Sequence, residues 1–133
     1  EDICKILEWN HPRTKCLSGR LSIRKTMLMA QYADLVIGTE TGVLNAASCY
    51  DTPKIIFLSH SSEENLTKYW KNVFPISAGV SCQPCHQLHY TNESCKLNSI
   101  LKSPLCMSQI DPKTVLSIID DVYAQTIKLK EAA

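Results

Sequence analysis

No apolar run in this chain approaches the eighteen or more residues that a membrane-spanning helix needs; the longest blocks, Leu35 to Ile37 and Ile55 to Leu58, have the length of strands. Charge of either sign is also missing as an excess. Fourteen Lys and Arg stand against thirteen Asp and Glu, a formal net charge of +1, and no basic run could neutralise a phosphate backbone, so charge speaks against nucleic acid as a partner. There is no G-x-G-x-x-G and no G-x-x-x-x-G-K-[ST], which removes the two common glycine-rich phosphate loops. No internal repeat or low-complexity segment is visible. The N-terminus lacks the apolar core of a signal peptide, because Glu1 and Asp2 open it and no apolar segment follows; the chain is expected to begin in mid-protein.

What remains is a sequence of 133 residues, 44% apolar, enough for one domain with a real core. Seven cysteines are many, yet the odd count and the core-forming apolar runs speak against a small secreted disulfide scaffold and for a reducing compartment. Asn65-Leu66-Thr67 and Asn92-Glu93-Ser94 match the glycosylation tripeptide, which is frequent by chance.

Before Val80 the pattern alternates between helix and strand. Ser22 is placed to cap a helix from Ile23 to Tyr32, with Ile23, Met27, Leu28, Met29 and Ala30 giving it a broad apolar side. Leu35 to Ile37 reads as a short buried strand that Gly38 ends. A second helix is expected from Val43 to Cys49, rich in small residues, and Asp51-Thr52-Pro53 makes a turn before a second strand from Lys54 to Leu58. Helix, strand, helix, strand implies a parallel α/β sheet with right-handed crossovers. Ser81 to Cys106 reads as an irregular insertion. At Asp111-Pro112 a cap precedes a proline at the first helical position, and Val115, Ile118, Ile119 and Val122 recur at helical spacing, so a closing helix is expected from Pro112 to about Leu129.

The chemistry-bearing stretch runs from Ala33 to Ala47. A strand delivers the chain to its carboxyl end, a small-residue turn reverses it, and a helix begins near Thr41 or Gly42. In open α/β sheets ligands bind there, because free backbone N–H groups and the positive helix end face the crevice, and a diphosphate suits that environment. Gly42 allows close backbone approach; the Thr41 hydroxyl can donate to a phosphate oxygen or cap the helix; Asn45 lies one turn on. The plainer alternative is that Thr41 only caps and Gly42 only turns. After the second strand, Ser59-His60-Ser61-Ser62 could contact a sugar or phosphate, or simply be a polar loop leading into a helix near Glu63 and Glu64.

Ala33 to Leu58 resembles the signature of heptosyltransferase-type enzymes, glycosyltransferase family 9, in which A-D-x-x-I-G-x-D-T-G-x-x-H-x-A-A precedes P-x-I-x-L-F-G. The likeness is to the second domain and extends more loosely from about Leu21 to the closing helix. It implies a bacterial GT-B enzyme of lipopolysaccharide biosynthesis, with two Rossmann-like domains facing across a cleft. Residues 1–133 then make one partial domain that holds a nucleotide-diphosphate sugar such as ADP-heptose. Carried over by position, Glu40, Thr41, Gly42, Val43, Asn45 and Ser61 bind the donor's diphosphate and sugar. Glu40 stands where the family has Asp, Asn45 where it has His, and Phe57-Leu58-Ser59 replaces L-F-G. The resemblance further implies inverting displacement with no cofactor required for the chemistry. The general base would lie in an N-terminal acceptor domain outside this chain, so this chain alone would hold no catalytic residue. It also implies a cytoplasmic location, with peripheral contact at the inner face of the membrane in the full protein.

Cys82-x2-Cys85 followed by Cys95 and Cys106 supplies four thiols, the number that closes a structural zinc site. The first pair has finger-like spacing, whereas ten residues separate the second pair rather than two to four. His86 and His89 could replace one cysteine. A structural zinc, free thiols and disulfides remain open, as does the reading in which a zinc-stapled α/β scaffold presents an interaction surface. Cys4, Cys16 and Cys49 read as small core residues.

Overall fold

A computed structural model describes residues 2–86 and 95–131. Its centre is a parallel three-stranded sheet of β1 (Val36–Thr39), β2 (Lys54–Phe57) and β3 (Val73–Ile76), in the order β1-β2-β3. The helices are α1 (Asp2–Asn10), α2 (Ile23–Tyr32), α3 (Gly42–Ala47), α4 (Leu105–Ser108) and α5 (Pro112–Glu131), with one π-helical turn at Glu63–Thr67; α3 packs on β1 and β2, and α2 packs on α3. The α/β class expected from the alternating pattern is therefore present.

Ser22 caps α2 as expected, its hydroxyl accepting from the Lys25 amide. The apolar side of that helix is only partly used, since Ala30 is buried while Ile23, Leu28 and Met29 are exposed. Asp111 caps the start of α5 by accepting from the Thr114 and Lys113 amides, and Val122 is buried on that helix.

The expected first strand needs two corrections. Gly38 does not end it, because the parallel ladder continues through Gly38↔Ile56 and Thr39↔Phe57. Nor is it buried along its length, since Ile37 is 44% exposed. Gly38 is required for packing, because a Cβ there would lie 2.6 Å from Leu44 Cδ2 of the helix above. That helix is also shorter than the expected Val43 to Cys49. It starts at Gly42, ends at Ala47, and passes into turns closed by the Ser48, Cys49 and Tyr50 amides.

Alternation along β2 assigns its side chains to two layers. Ile56 joins Leu44 and Leu58 in a cluster covered by Val36, Leu66, Trp70 and Val73. On the opposite face, Phe57 shares a cavity of about 410 Å³ with Met107, Ile110, Pro112, Val115 and Leu116 of the α4–α5 region. Lys54 is fully buried at the strand's start, donating to the Tyr50 carbonyl (3.0 Å) and the Lys71 carbonyl (2.9 Å). Burial lowers its pKa, and the nearby Asp51 opposes that shift.

The sequence pattern did not reveal β3, because Pro75 sits inside it. Proline cannot donate to a ladder and argues against a central strand. β3 tolerates it by lying at the edge of the sheet, with Lys54↔Val73 to Phe57↔Ile76 as its pairs.

The described residues of the segment from Ser81 to Cys106 are irregular as expected until α4 begins. One isolated antiparallel bridge, Leu97↔Pro104, closes the turns that lead into α4. His89 and the Asn92-Glu93-Ser94 tripeptide lie outside the described residues. Cys16 is buried as expected, but Cys49 is exposed because α3 stops before it, and Cys4 is only half-buried.

Candidate functional site

Two strand-to-helix turns meet at the carboxyl ends of β1 and β2, where parallel neighbours deliver Glu40 and Ser59 to the same level. The contact between them is a single carboxylate. Glu40 Oε2 accepts from the Ser59 amide (2.8 Å), the Ser59 hydroxyl (2.5 Å) and the His60 amide (3.1 Å). Glu40 Oε1 accepts from the Ser61 amide (2.8 Å). His60 Nδ1 lies 3.0 Å from Glu40 Oε2, and the Glu40 side chain is only 4% exposed.

Burial pushes the Glu40 pKa up, but the Ser59 hydroxyl and the amides of Ser59, Ser61 and His60 outweigh it and hold the carboxyl below its ordinary value. Donors that favour the charged form win over desolvation. The consequence for the second turn is specific: the amides of residues 59–61 are already committed to Glu40. They form an anion-binding concavity whose anion is the protein's own.

Thr41, Gly42 and Val43 are exposed, so the junction after Glu40 is not covered by other side chains. Thr41 occupies the cap position of α3 with extended backbone, yet its side chain makes no cap hydrogen bond. The plainer reading of Thr41 as a capping residue therefore does not describe it. The first bond of the helix runs from the Asn45 amide to the Thr41 carbonyl. Nothing lies within 4 Å of a Cβ built on Gly42. Asn45 turns back on its own helix, its side-chain amide donating to the Thr41 carbonyl at 3.1 Å. Among the six positions expected to touch a donor, Glu40 and Ser61 are thus joined to each other, Thr41 and Gly42 face outward, Asn45 is engaged locally, and Val43 lines a neighbouring cavity.

That cavity, about 510 Å³, runs beside β1 between Leu17, Leu21, Met29, Leu35, Ile37 and Val43 and is mostly apolar. The polar loop after β2 continues into a Ser62 cap, whose hydroxyl accepts from the Asn65 amide at the start of the π-helical turn. Gln83 ties the next segment to the same place by donating from Nε2 to the Leu58 carbonyl (2.6 Å), and the His86 amide donates to the His60 carbonyl (2.7 Å). No protein family, curated protein or solved structure matches this chain.

The sequence reading set Ser59 and His60 in a loop able to contact a sugar or phosphate but did not join them to Glu40, and Gln83 escaped it. A glutamate in one turn and a Ser-His-Ser-Ser in the next become a signal only once the two strands are known to be adjacent and parallel. Of the cysteines, Cys82 is exposed, while Cys85, Cys95 and Cys106 are half-buried. Burial raises the Cys106 pKa, and the charges of Cys82, Cys95 and Cys85 add to the rise, so the other three thiols lie within electrostatic reach of it. Among the described residues no group of three or more His, Cys, Asp or Glu is already gathered as a metal-ligand set.

Proposed function

We propose that this chain binds the nucleotide diphosphate of an activated sugar, as the donor-binding domain of a glycosyltransferase of the heptosyltransferase type. The observation that carries the reading is the exposed junction Thr41-Gly42-Val43 at the carboxyl end of β1, with a hydroxyl that caps nothing and a glycine with open space before it. Ligands of open parallel sheets bind at this level, and helix-start amides favour phosphate.

In this reading Thr41 donates its hydroxyl to a phosphate oxygen, and the amides of Gly42 and Val43 complete the cradle. Glu40 does not touch the donor. It holds the Ser59 to Ser61 loop against the first turn, keeping the cradle's wall in position. The chemistry assigned to these groups is stabilisation of the departing diphosphate during inverting displacement; a well-placed donor in comparable anion holes is worth about 2.7–4 kcal/mol. The acceptor and its base belong outside this chain, in a facing domain. The activity of the whole protein, an ADP-heptose-like donor, a lipopolysaccharide or other glycan acceptor, and work at the cytoplasmic face of a membrane all follow from the same proposal. No helix among the described residues is long and apolar enough to cross a membrane.

Amide-resolved NMR of the chain titrated with ADP, AMP and inorganic phosphate tests it. The expected result is shifts centred on residues 41–45 with ADP and weaker ones with AMP. No shift there at millimolar ADP, or equal response to AMP, overturns the assignment.

A further inference from the structure

The main chain of the turn after β2 is already committed. The amides of Ser59, His60 and Ser61, together with the Ser59 hydroxyl, all donate to Glu40. What this turn offers an anion therefore comes from side chains that Glu40 does not use up. His60 is such a side chain. Its Nδ1 lies 3.0 Å from Glu40 Oε2, and the side chain is 33% exposed against 4% for the carboxylate. An ionised carboxylate only accepts, so it favours the hydrogen on Nδ1. That leaves Nε2 on the side of the ring turned away from Oε2, and which ring nitrogen is engaged decides what the other can do.

Charge gives that nitrogen a role. Glu40 is followed directly by Thr41 and Gly42, so a diphosphate at the junction sits close to a carboxylate that its hydrogen-bond donors keep ionised. Two anions this near repel, and a cation in contact with one of them offsets the repulsion. The basic side chain in contact with Glu40 is His60. Its backbone is fixed from a second direction, because the His60 carbonyl accepts from the His86 amide (2.7 Å). Two residues earlier, the Leu58 carbonyl accepts from Gln83 Nε2 (2.6 Å). The imidazole is thus carried on a loop pinned by the first turn and by the segment after β3.

We propose that His60, protonated and held through Nδ1 against the buried Glu40 carboxylate, donates from Nε2 to the diphosphate bound at the Thr41-Gly42 junction. The inference rests on the nucleotide reading and deepens it: the first turn supplies neutral donors, and the second supplies the positive charge. Imidazole changes charge between about pH 5 and 8, so the site binds diphosphate more tightly in the lower part of that range. Besides Glu40, the titratable groups around the loop are exposed His86 and, at the start of the π-helical turn, Glu63 and Glu64, of which Glu64 pairs with Lys68. His86 is the neighbour that a control variant has to separate from His60.

The test is NMR of the full chain titrated with ADP-glucose at about pH 6 and about pH 8, the two sides of the imidazole range. The diphosphate of this probe is a diester and keeps the same charge at both. Wild type is expected to bind about tenfold more tightly at the lower pH, the contribution of one charge-assisted hydrogen bond. The His60 ring resonances are expected to titrate at higher pH once the probe is bound, since binding and protonation favour each other. His60→Gln is expected to bind alike at the two pH values, while His86→Gln keeps the wild-type difference. Should His60→Gln fail to fold, the wild-type ring titration decides, and a titration that the probe leaves unmoved overturns the proposal. Equal wild-type affinity at both pH values, or a difference that survives in His60→Gln, overturns it too and leaves the nucleotide reading standing. No shift at residues 41–45 at either pH overturns both.

Discussion

Removing the Glu40 carboxylate is expected to cost this chain about 3 kcal/mol, and the structure supplies the reasoning. Three main-chain amides, one hydroxyl and one imidazole converge on its two oxygens, and its side chain is almost fully covered. A hydrogen bond to a charged group contributes about 1.5–3 kcal/mol net, and a buried donor left without an acceptor costs about 1–3 kcal/mol. Adding every bond overstates the loss, because the donors form one network and residues 59–61 are half-buried, so water can reach some of them in Glu40→Ala. About 3 kcal/mol in a domain of this size is a fall in Tm on the order of 10 °C.

Glu40→Gln separates charge from shape. It keeps one accepting oxygen but turns a donor toward the amides, so it is expected to lose about half as much. The acid limb gives a second signature. The folded carboxyl titrates below its ordinary value of 4.5. Its contribution is therefore fully present above that pH and is lost as the pH falls through the folded value. Wild type should lose this increment below about pH 4.5, and Glu40→Gln should not. Urea unfolding followed by fluorescence measures both, with half-buried Trp70 at the edge of the β2 cluster as reporter. A loss under about 1 kcal/mol for Glu40→Ala at neutral pH, or an unchanged acid limb in Glu40→Gln, refutes the bracket.

Gly38 within β1 and Gly42 at the start of α3 should respond in opposite ways. Gly38→Ala drives a methyl group into Leu44 and is expected to lose about 1–3 kcal/mol, measured by the same unfolding curves. Gly42→Ala meets open space, so stability should hold or rise by about 0.4–1 kcal/mol while ADP-induced shifts weaken; unchanged nucleotide response in this variant would count against close phosphate approach. Lys54→Ala is expected to lose about 2–4 kcal/mol and Lys54→Met clearly less, because the buried stem as well as the amine fills the space at the start of β2. Equal losses would place the whole effect on the amine and its two carbonyls.

Much of the architecture was legible locally. Ser22 before Ile23 and Asp111 before Pro112 mark helix starts that the chain uses, since cap chemistry depends on residues three or fewer positions away. The β-branched block at Lys54 to Phe57 likewise forms a strand where its composition predicts one. The strand at Val73–Ile76 was hidden because Pro75 is compatible with pairing only at a sheet edge, and edge position is a property of the assembled sheet. The extent of β1 was misjudged at Gly38 for a related reason: glycine there answers to Leu44 across the layer, a contact that no window of sequence contains.

The candidate site divides along the same line. Sequence by itself determined that a strand-turn-helix junction with Thr41 and Gly42 exists and that four thiols lie between Ser81 and Cys106. Only the tertiary structure decided which groups are still available. Parallel pairing of β1 with β2 commits Glu40 to the Ser59 to Ser61 loop. The physical reason is that hydrogen-bond donors and thiols act on whatever is within a few ångströms, and which residues are that close is settled by strand order and register.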